Sequence, residues 1–154
     1  TSRLAPATMG SDMILLVEDN DDDRDLAVLA FKQTKVPVRL AIVPNGEEVL
    51  ELLLPAVRRA HGENEIKIVL LDLKLPGIDG MDVLRRIRGD SRTRYLPVAI
   101  LSSSLEPADL IECYRRGANS YLRKPVSFPE FLELAERIAG YWVQFNQTAS
   151  AASV

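Results

Sequence analysis

The chain has 154 residues, a formal net charge of −3 and 47% hydrophobic residues. This apolar content is enough for one packed core and argues against a wholly disordered chain. The slightly negative charge argues against a nucleic-acid-binding surface, which would show clustered Lys and Arg. No apolar stretch reaches the roughly 18–20 residues that a membrane-spanning helix needs.

The chain ends differ in composition from the middle. Residues 1–12 lack the apolar stretch of a signal peptide. We expect a disordered leader at 1–12, one domain at 13–146 and a disordered tail at 147–154. A single cysteine, Cys113, excludes an internal disulfide, and we therefore expect a cytoplasmic protein.

Five apolar segments alternate with five segments of helical periodicity. Strands are predicted at residues 13–17, 36–43, 66–71, 96–101 and 120–123. Helices are predicted at residues 21–33, 47–59, 79–88, 107–116 and 128–145, with Asn20 as the cap of the first. Strict alternation predicts a parallel sheet with helices on both faces, and the near-continuous apolar strands fit such buried positions.

Polar side chains follow four of the predicted strands. Glu18 and Asp19 follow the first strand, Asp72 the third, Ser102 the fourth and Lys124 the fifth. In sheets of this kind, ligands bind beyond the carboxyl ends of the strands. We therefore expect these side chains to meet at one edge of the sheet.

The charges at this edge predict a metal site. Three carboxylates against the single ammonium of Lys124 leave a negative excess, which a divalent cation would neutralise. Oxygen ligands without His or Cys point to Mg²⁺ rather than zinc. A carboxylate beside Mg²⁺ and a lysine can attack phosphorus, and a nearby hydroxyl such as Ser102 would bond a phosphate oxygen. Asp22, Asp23 and Asp25 are interpreted instead as solvated acids at a helix start.

Four stretches carry a family resemblance: ILLVEDN, IVLLDLKLPGIDGMDVLRRIR, VAILSSS and GANSYLRKP. With their spacing, they make the chain similar to the receiver domains of two-component response regulators, from residue 13 to about 145. The resemblance to the small chemotaxis regulator implies a flavodoxin-like, doubly wound sheet of five parallel strands in the order 2-1-3-4-5, with five helices.

The same resemblance implies a role for each residue of the predicted edge. Glu18, Asp19 and Asp72 would bind Mg²⁺ together with the backbone carbonyl of Lys74, and Asp72 would accept the phosphoryl group. The span between Asp19 and Asp72 is longer than in compact family members, which we attribute to the end of the second helix and the polar loop at 60–65 that contains His61.

Three residues near the fourth and fifth strands complete the implied set. Ser102 would be the switch hydroxyl, Tyr121 the switch aromatic and Lys124 the phosphate-binding lysine. The Lys124–Pro125 bond would be cis. Taken alone, Ser102 could be a plain strand-end serine, and Tyr121 could be a strand aromatic whose hydroxyl reaches water.

The last predicted helix suggests partners. Its length and its Tyr141-Trp142 pair resemble single-domain regulators that serve bacterial phytochrome-type histidine kinases. Its apolar positions exceed what one face of a sheet can cover, so we expect a homodimer through the fourth helix, fifth strand and fifth helix. The residues expected at the contact are Leu134, Tyr141, Trp142 and Phe145.

The predicted function is that of a single-domain response regulator. A histidine kinase would phosphorylate Asp72, and the changed face would bind a partner protein, dimerise or pass the phosphoryl group on. No catalysis is expected beyond the chain's own phosphorylation and dephosphorylation. The alternatives are a receiver-like scaffold that is never phosphorylated, a dehalogenase-type phosphatase, which would need an Asp where Lys74 stands, and a flavin carrier, whose phosphate the acids after the first strand would repel.

Overall fold

The computed structural model describes residues 12–59 and 66–149. Its strands are β1 (Met13–Val17), β2 (Arg39–Val43), β3 (Ile66–Leu71), β4 (Val98–Ser102) and β5 (Ser120–Arg123). Its α-helices are α1 (Asp21–Lys32), α2 (Gly46–Arg59), α3 (Gly80–Gly89), α4 (Pro107–Arg115) and α5 (Phe128–Ile138). A π-helix over Ala139–Phe145 continues α5 directly.

All five strands pair in parallel, in the order β2-β1-β3-β4-β5. The chain therefore reverses its direction of winding between β1 and β3, the usual place for a ligand site in such sheets. The order, the parallel pairing and the alternation with helices confirm the predicted flavodoxin-like, doubly wound fold.

Two apolar cores cover the two faces of the sheet. Because successive strand residues point to opposite faces, Leu15 and Val17 of β1 join one core, while Ile14 and Leu16 join the other. Phe131 of α5 is almost fully buried in the second core. Burial on both faces explains why β1, β3 and β4 have almost no polar residues before their carboxyl ends.

Several predicted boundaries differ from those in the structure. The fourth strand begins at Val98 rather than at residue 96, because Pro97 before it has no N–H to donate to a ladder. The second strand begins at Arg39, beyond Pro37, for the same reason. Asn20 caps α1 as predicted, since its Oδ1 accepts the Asp23 N–H at 2.9 Å.

Some sequence predictions fall outside the described residues. These are the leader up to residue 11, the loop at 60–65 with His61, and the tail from residue 150. The prediction of a cis Lys124–Pro125 bond was wrong, because the described residues contain no cis peptide bond. The trans form is the intrinsically preferred one for X–Pro bonds, by about 0.5–1 kcal/mol. Across the described residues, we find no helix that has both the length and the apolar character of a bilayer crossing.

Arg88 of α3 hydrogen-bonds the segments that precede β4 and β5. Its guanidinium donates to the Gly117 carbonyl at 2.9 Å, to the Leu96 carbonyl at 2.7 Å and to Asn119 Oδ1 at 2.8 Å. Asn119 Oδ1 also accepts the Val98 N–H at 2.8 Å. These bonds join the start of β4 to the turn before β5. They hold the amino ends of the two strands together, so their carboxyl ends lie side by side at the other edge of the sheet.

Cys113 is the buried side chain of α4, and its environment predicts low reactivity. Burial raises the pKa of this thiol to about 11, and the carboxylates of Asp109 and Glu112 act in the same direction. At pH 8 the folded protein should therefore react with iodoacetamide at least roughly tenfold more slowly than the urea-unfolded protein. Mass spectrometry of the alkylated protein measures both rates.

The same shift predicts a pH dependence of stability. The thiol of the unfolded chain ionises near its ordinary pKa, whereas that of folded Cys113 keeps its proton to about pH 11. Its contribution to the free energy of unfolding is therefore fully present below the unfolded pKa and is lost as the pH rises toward 11. Cys113→Val should lack this decline in urea titrations, and an identical decline in both proteins would contradict the assignment.

Candidate functional site

The carboxyl ends of β1 and β3 bring three acids together. Glu18 and Asp19 leave β1, and Asp72 leaves the neighbouring strand β3. Glu18 and Asp72 are buried, with 2% and 7% of their surfaces exposed, while Asp19 is exposed. One carboxylate oxygen from each lies within 4.8 Å of the other two. The predicted meeting of these acids is thus found in the structure.

Lys124 lies between these acids. Its Nζ is 2.6 Å from Glu18 Oε1 and 3.1 Å from Asp72 Oδ2. Its backbone N–H donates to the Ser102 carbonyl at 2.8 Å, which fixes the loop after β5 against the end of β4. The side chain is only 14% exposed, so its charge is poorly solvated and depends on the carboxylates for stabilisation.

Asp23 is a member of the site that sequence reasoning missed. Its Oδ2 lies 3.0 Å from Lys124 Nζ, so it is an ion-pair partner and not merely a solvated acid of the first helical turn. The sequence could have indicated this role, because few residues separate Glu18 from the start of α1 at Asp21. This spacing keeps the first turn of α1, and Asp23 with it, near the carboxyl edge of the sheet.

Burial and ion pairing shift the pKa values of Glu18 and Lys124 in opposite directions. Burial raises the pKa of Glu18 to about 7, and the Asp72 charge adds to the rise, although the bond to Lys124 opposes it. Burial alone would lower the pKa of Lys124, but its bonds to Glu18 and Asp23 and the charges of Asp72 and Glu18 outweigh burial and raise it. Lys124 is therefore a permanent cation at this edge, and Glu18 needs a nearby cation to stay ionised.

The donor set of this edge fits a hard divalent cation. Glu18, Asp19 and Asp72 offer only carboxylate oxygens, the ligand type that Mg²⁺ and Mn²⁺ accept. The exposed Asp19 leaves one side open to water, which Mg²⁺ retains in most protein sites. The Lys74 N–H donates to Asp72 Oδ1 at 3.2 Å, while the Lys74 carbonyl as a ligand stays a prediction.

Ser102 at the end of β4 and Tyr121 in β5 both hydrogen-bond Ser104, which lies in the loop after β4. Ser102 is 2% exposed, and its Oγ accepts the Ser104 N–H at 3.1 Å. Tyr121 is half-buried against the first core, and its hydroxyl donates to the Ser104 carbonyl at 2.7 Å. The Tyr121 hydroxyl thus has a partner within the protein, while its role as a switch stays a prediction. Both predicted switch residues contact the same residue, Ser104.

A groove of about 640 Å³ opens beside the acids, between the loop after β3 and the start of α4. Asp19, Lys74 and Ser102 belong to its lining, together with Ser104 and Asp109. Its size lies within the range of ordinary ligand pockets. Of the three acids, the exposed Asp19 lines this groove, and the buried Glu18 and Asp72 lie behind it.

The four residues predicted at a dimer contact differ in exposure. Leu134 and Trp142 are half-buried and pack against the second core. Tyr141 and Phe145 are 54% and 72% exposed. The Tyr141 ring stands edge-on to that of Trp142, with centroids 4.9 Å apart. The exposed apolar surface of this segment thus comes from Tyr141 and Phe145.

Comparison with known proteins identifies the family. The sequence profile of the response regulator receiver domain matches residues 14–136. This chain belongs to that family. Receiver domains are regulatory domains that pair with histidine kinases, and the buried acids and Lys124 stand at the edge where the family resemblance expected them.

Three relatives show how far the similarity extends. The receiver is 36% identical over 140 residues to a probable methanogenesis regulatory protein, FilR2, of Methanothrix harundinacea, covering 91% of this chain and 89% of that one. It superposes on the phosphorylated cyanobacterial phytochrome response regulator RcpA with a TM-score of 0.79 and 29% identity, covering 91% and 99% of the two chains. The Mn²⁺-bound form of Rcp1, a response regulator of Synechocystis, gives 0.74 and 25%, covering 90% and 99%.

Gly80, the first residue of α3, lies close to the backbone of Asp72 and Leu73. A Cβ at this position would lie 2.3 Å from the Asp72 carbonyl oxygen and 2.7 Å from Leu73 Cα, so the backbone that carries Asp72 would have to move. We expect Gly80→Ala to lower stability by about 1–3 kcal/mol. If the three acids bind a divalent cation, Gly80→Ala should also weaken that binding, measured by titration calorimetry on the folded variant.

Gly89 at the other end of α3 provides the matched control. A Cβ there would meet nothing within 4 Å. Gly89→Ala should therefore leave cation binding unchanged and alter stability by no more than about 1 kcal/mol. Equal cation affinity in Gly80→Ala and Gly89→Ala would show that the approach of α3 does not set the geometry of the acids.

Proposed function

We propose that this receiver domain accepts a phosphoryl group from a histidine kinase on Asp72, in the presence of Mg²⁺, and acts as a single-domain response regulator in the cytoplasm. The observation that carries the proposal is the position of the buried Asp72 carboxylate: its Oδ2 is 3.1 Å from Lys124 Nζ, and it shares a compact cluster with Glu18 and Asp19.

Asp72 is the nucleophile in this proposal. One of its oxygens would form a bond to phosphorus while the phosphorus–nitrogen bond of the donor phosphohistidine breaks, and the imidazole nitrogen would keep the bonding electron pair. The donor would approach through the groove that Asp19, Lys74 and Ser102 line beside this cluster. The Lys74 N–H at 3.2 Å from Asp72 Oδ1 holds the carboxylate in a fixed orientation.

Lys124 supplies the permanent positive charge. Its bonds to Glu18 and Asp23 hold the ammonium beside Asp72, where it would neutralise a phosphoryl oxygen without first having to be drawn in from solvent. Glu18, Asp19, Asp72 and the Lys74 carbonyl would hold the Mg²⁺ ion, which when bound supplies further positive charge to the phosphoryl oxygens. The Mn²⁺-bound form of the similar regulator Rcp1 supports a divalent cation.

Ser102 and Tyr121 would report the phosphoryl group. The Ser102 hydroxyl would turn toward a phosphate oxygen, and the loop after β4 would move with it. Tyr121 is already half-buried and bonded to that loop. The surface of α4, β5 and α5 would then change shape and alter its affinity for a partner or for a second copy of the chain.

The proposed kinase is of the phytochrome type. Support comes from the similarity to RcpA, described as a phosphorylated phytochrome response regulator, over 99% of the RcpA chain. No nucleic-acid or membrane partner is proposed. The alternative hypothesis, a scaffold that is never phosphorylated, would use the same surfaces, and the experiment below distinguishes the two.

The first test is the intact mass after incubation with acetyl phosphate, with and without Mg²⁺. We expect one added phosphoryl group on the wild-type chain, dependent on Mg²⁺, and none on Asp72→Asn, because the amide is not a nucleophile. Asp22→Asn, a change at an exposed acid of α1, is the matched control and should behave as wild type. Phosphorylation of Asp72→Asn to the wild-type extent would move the acceptor elsewhere.

No adduct on any protein, with Mg²⁺ binding shown independently, would leave a short-lived phosphate or the scaffold hypothesis. Binding of beryllofluoride, which occupies a phosphoacceptor carboxylate without turning over, would then distinguish them. Binding that depends on Asp72 supports the phosphoryl switch, and its absence supports the scaffold.

A homodimer is the second part of the proposal, and its contact is assigned to the exposed apolar surface of the π-helix. Replacing Tyr141 and Phe145 together with Ser should raise the dimer dissociation constant at least roughly tenfold, because large apolar side chains dominate such contacts. Sedimentation equilibrium measures the constant. Leu29→Ser on α1, 51% exposed, is the control and should leave it unchanged; an unchanged constant in the double variant would exclude this contact.

A further inference from the structure

Helix α4 is held more weakly than its neighbour α3. Cys113 is the buried side chain among its residues, whereas α3 buries four residues. The N-cap residue Glu106 makes no side-chain capping bond. Ile111 and Tyr114 are 57% and 50% exposed. Few buried side chains and an incomplete cap give a helix low local stability, so single polar contacts matter more for its position.

Ser104 hydrogen-bonds the start of α4 through its hydroxyl group. The Ser104 Oγ donates to Asp109 Oδ2 at 2.6 Å and accepts the Glu106 N–H at 3.3 Å. Asp109 is the third residue of α4, so this pair ties the first helical turn to the loop before it. A hydrogen bond to a carboxylate is stronger than one between neutral groups.

The backbone of Ser104 contacts both switch residues. Its N–H donates to Ser102 Oγ at 3.1 Å, and its carbonyl accepts the Tyr121 hydroxyl at 2.7 Å. A displacement of Ser102 therefore acts on the acceptor of Tyr121 and, through the Ser104 hydroxyl, on Asp109. One residue joins the buried end of β4 to the first turn of α4.

We propose that the hydrogen bond between Ser104 and Asp109 is the connection through which the state of Asp72 is passed to α4. This inference rests on the proposed phosphorylation of Asp72 and names its route to the surface. When Ser102 moves toward the phosphoryl group, Ser104 follows, and α4 follows Ser104 because Asp109 is bonded to it. Ser104 and Asp109 are positioning residues here and take no part in the chemical step.

Hydrogen exchange of the full chain tests the connection. The amides of Asp109 and Leu110, both bonded to the Glu106 carbonyl, report the first turn of α4. Without phosphoryl mimic, Asp109→Ala should make this segment exchange roughly tenfold faster, because the turn loses its tie to Ser104. With beryllofluoride and Mg²⁺, the wild-type segment should change its exchange rate, and Asp109→Ala should not.

Occupancy of the site is measured separately for each protein by fluorine-19 NMR, so that a lost response is not mistaken for lost binding. Ser104→Ala should lose the response as Asp109→Ala does, since both remove the bond between Ser104 and Asp109. Ser104→Ala also removes the longer bond from the Glu106 N–H, so the double variant should add nothing beyond Ser104→Ala. Ser103→Ala, at an exposed neighbouring serine, and Asp109→Asn, which keeps an acceptor oxygen, are the controls and should keep the wild-type response.

Each outcome decides between the two proposals. If beryllofluoride does not bind the wild-type chain, the proposed function fails and this inference fails with it. If it binds and α4 responds equally in wild type, Ser104→Ala and Asp109→Ala, the phosphoryl switch stands and the connection is wrong. If Asp109→Ala does not fold, which thermal melting shows, the response of Ser104→Ala decides the question.

Discussion

The site depends on one buried ammonium held among acids. Lys124 is 14% exposed and contacts Glu18 and Asp23 near the end of β1 and Asp72 at the end of β3. Neither the ammonium nor the carboxylates would be stable there alone, because burying an unpaired charge costs several kcal/mol. Together they define an arrangement with a negative excess, and this excess makes the edge receptive to a divalent cation.

The parallel sheet makes that arrangement possible. Neighbouring strands that run in one direction deliver the residues after their carboxyl ends to the same edge. Burial on both faces keeps β1, and β3 from Ile68 onward, apolar up to the last residue, so the acids follow the buried strand ends directly. Gly80 allows α3 to pass close to the backbone at Asp72. The apolar core, the acids at the carboxyl edge and the groove beside them therefore all depend on the parallel arrangement of the strands.

The loop after β4 connects this rigid edge to a less firmly held surface. Ser104 contacts Ser102, Tyr121 and Asp109, while α4 itself buries few side chains. A firmly held site next to a weakly held helix is the arrangement a signalling domain requires, because a small local change can then move an exposed element at low energetic cost.

The sequence by itself determined the fold class and the acids and lysine at the strand ends, because these follow from alternation and from residues placed directly after apolar runs. The strand order was implied only by the family resemblance. Tertiary structure decided what depends on contacts between segments far apart in the chain: the Asp23–Lys124 pair and the bond from the Tyr121 hydroxyl to the Ser104 carbonyl. Periodicity describes one segment at a time, whereas these features arise only when segments from different parts of the chain pack together.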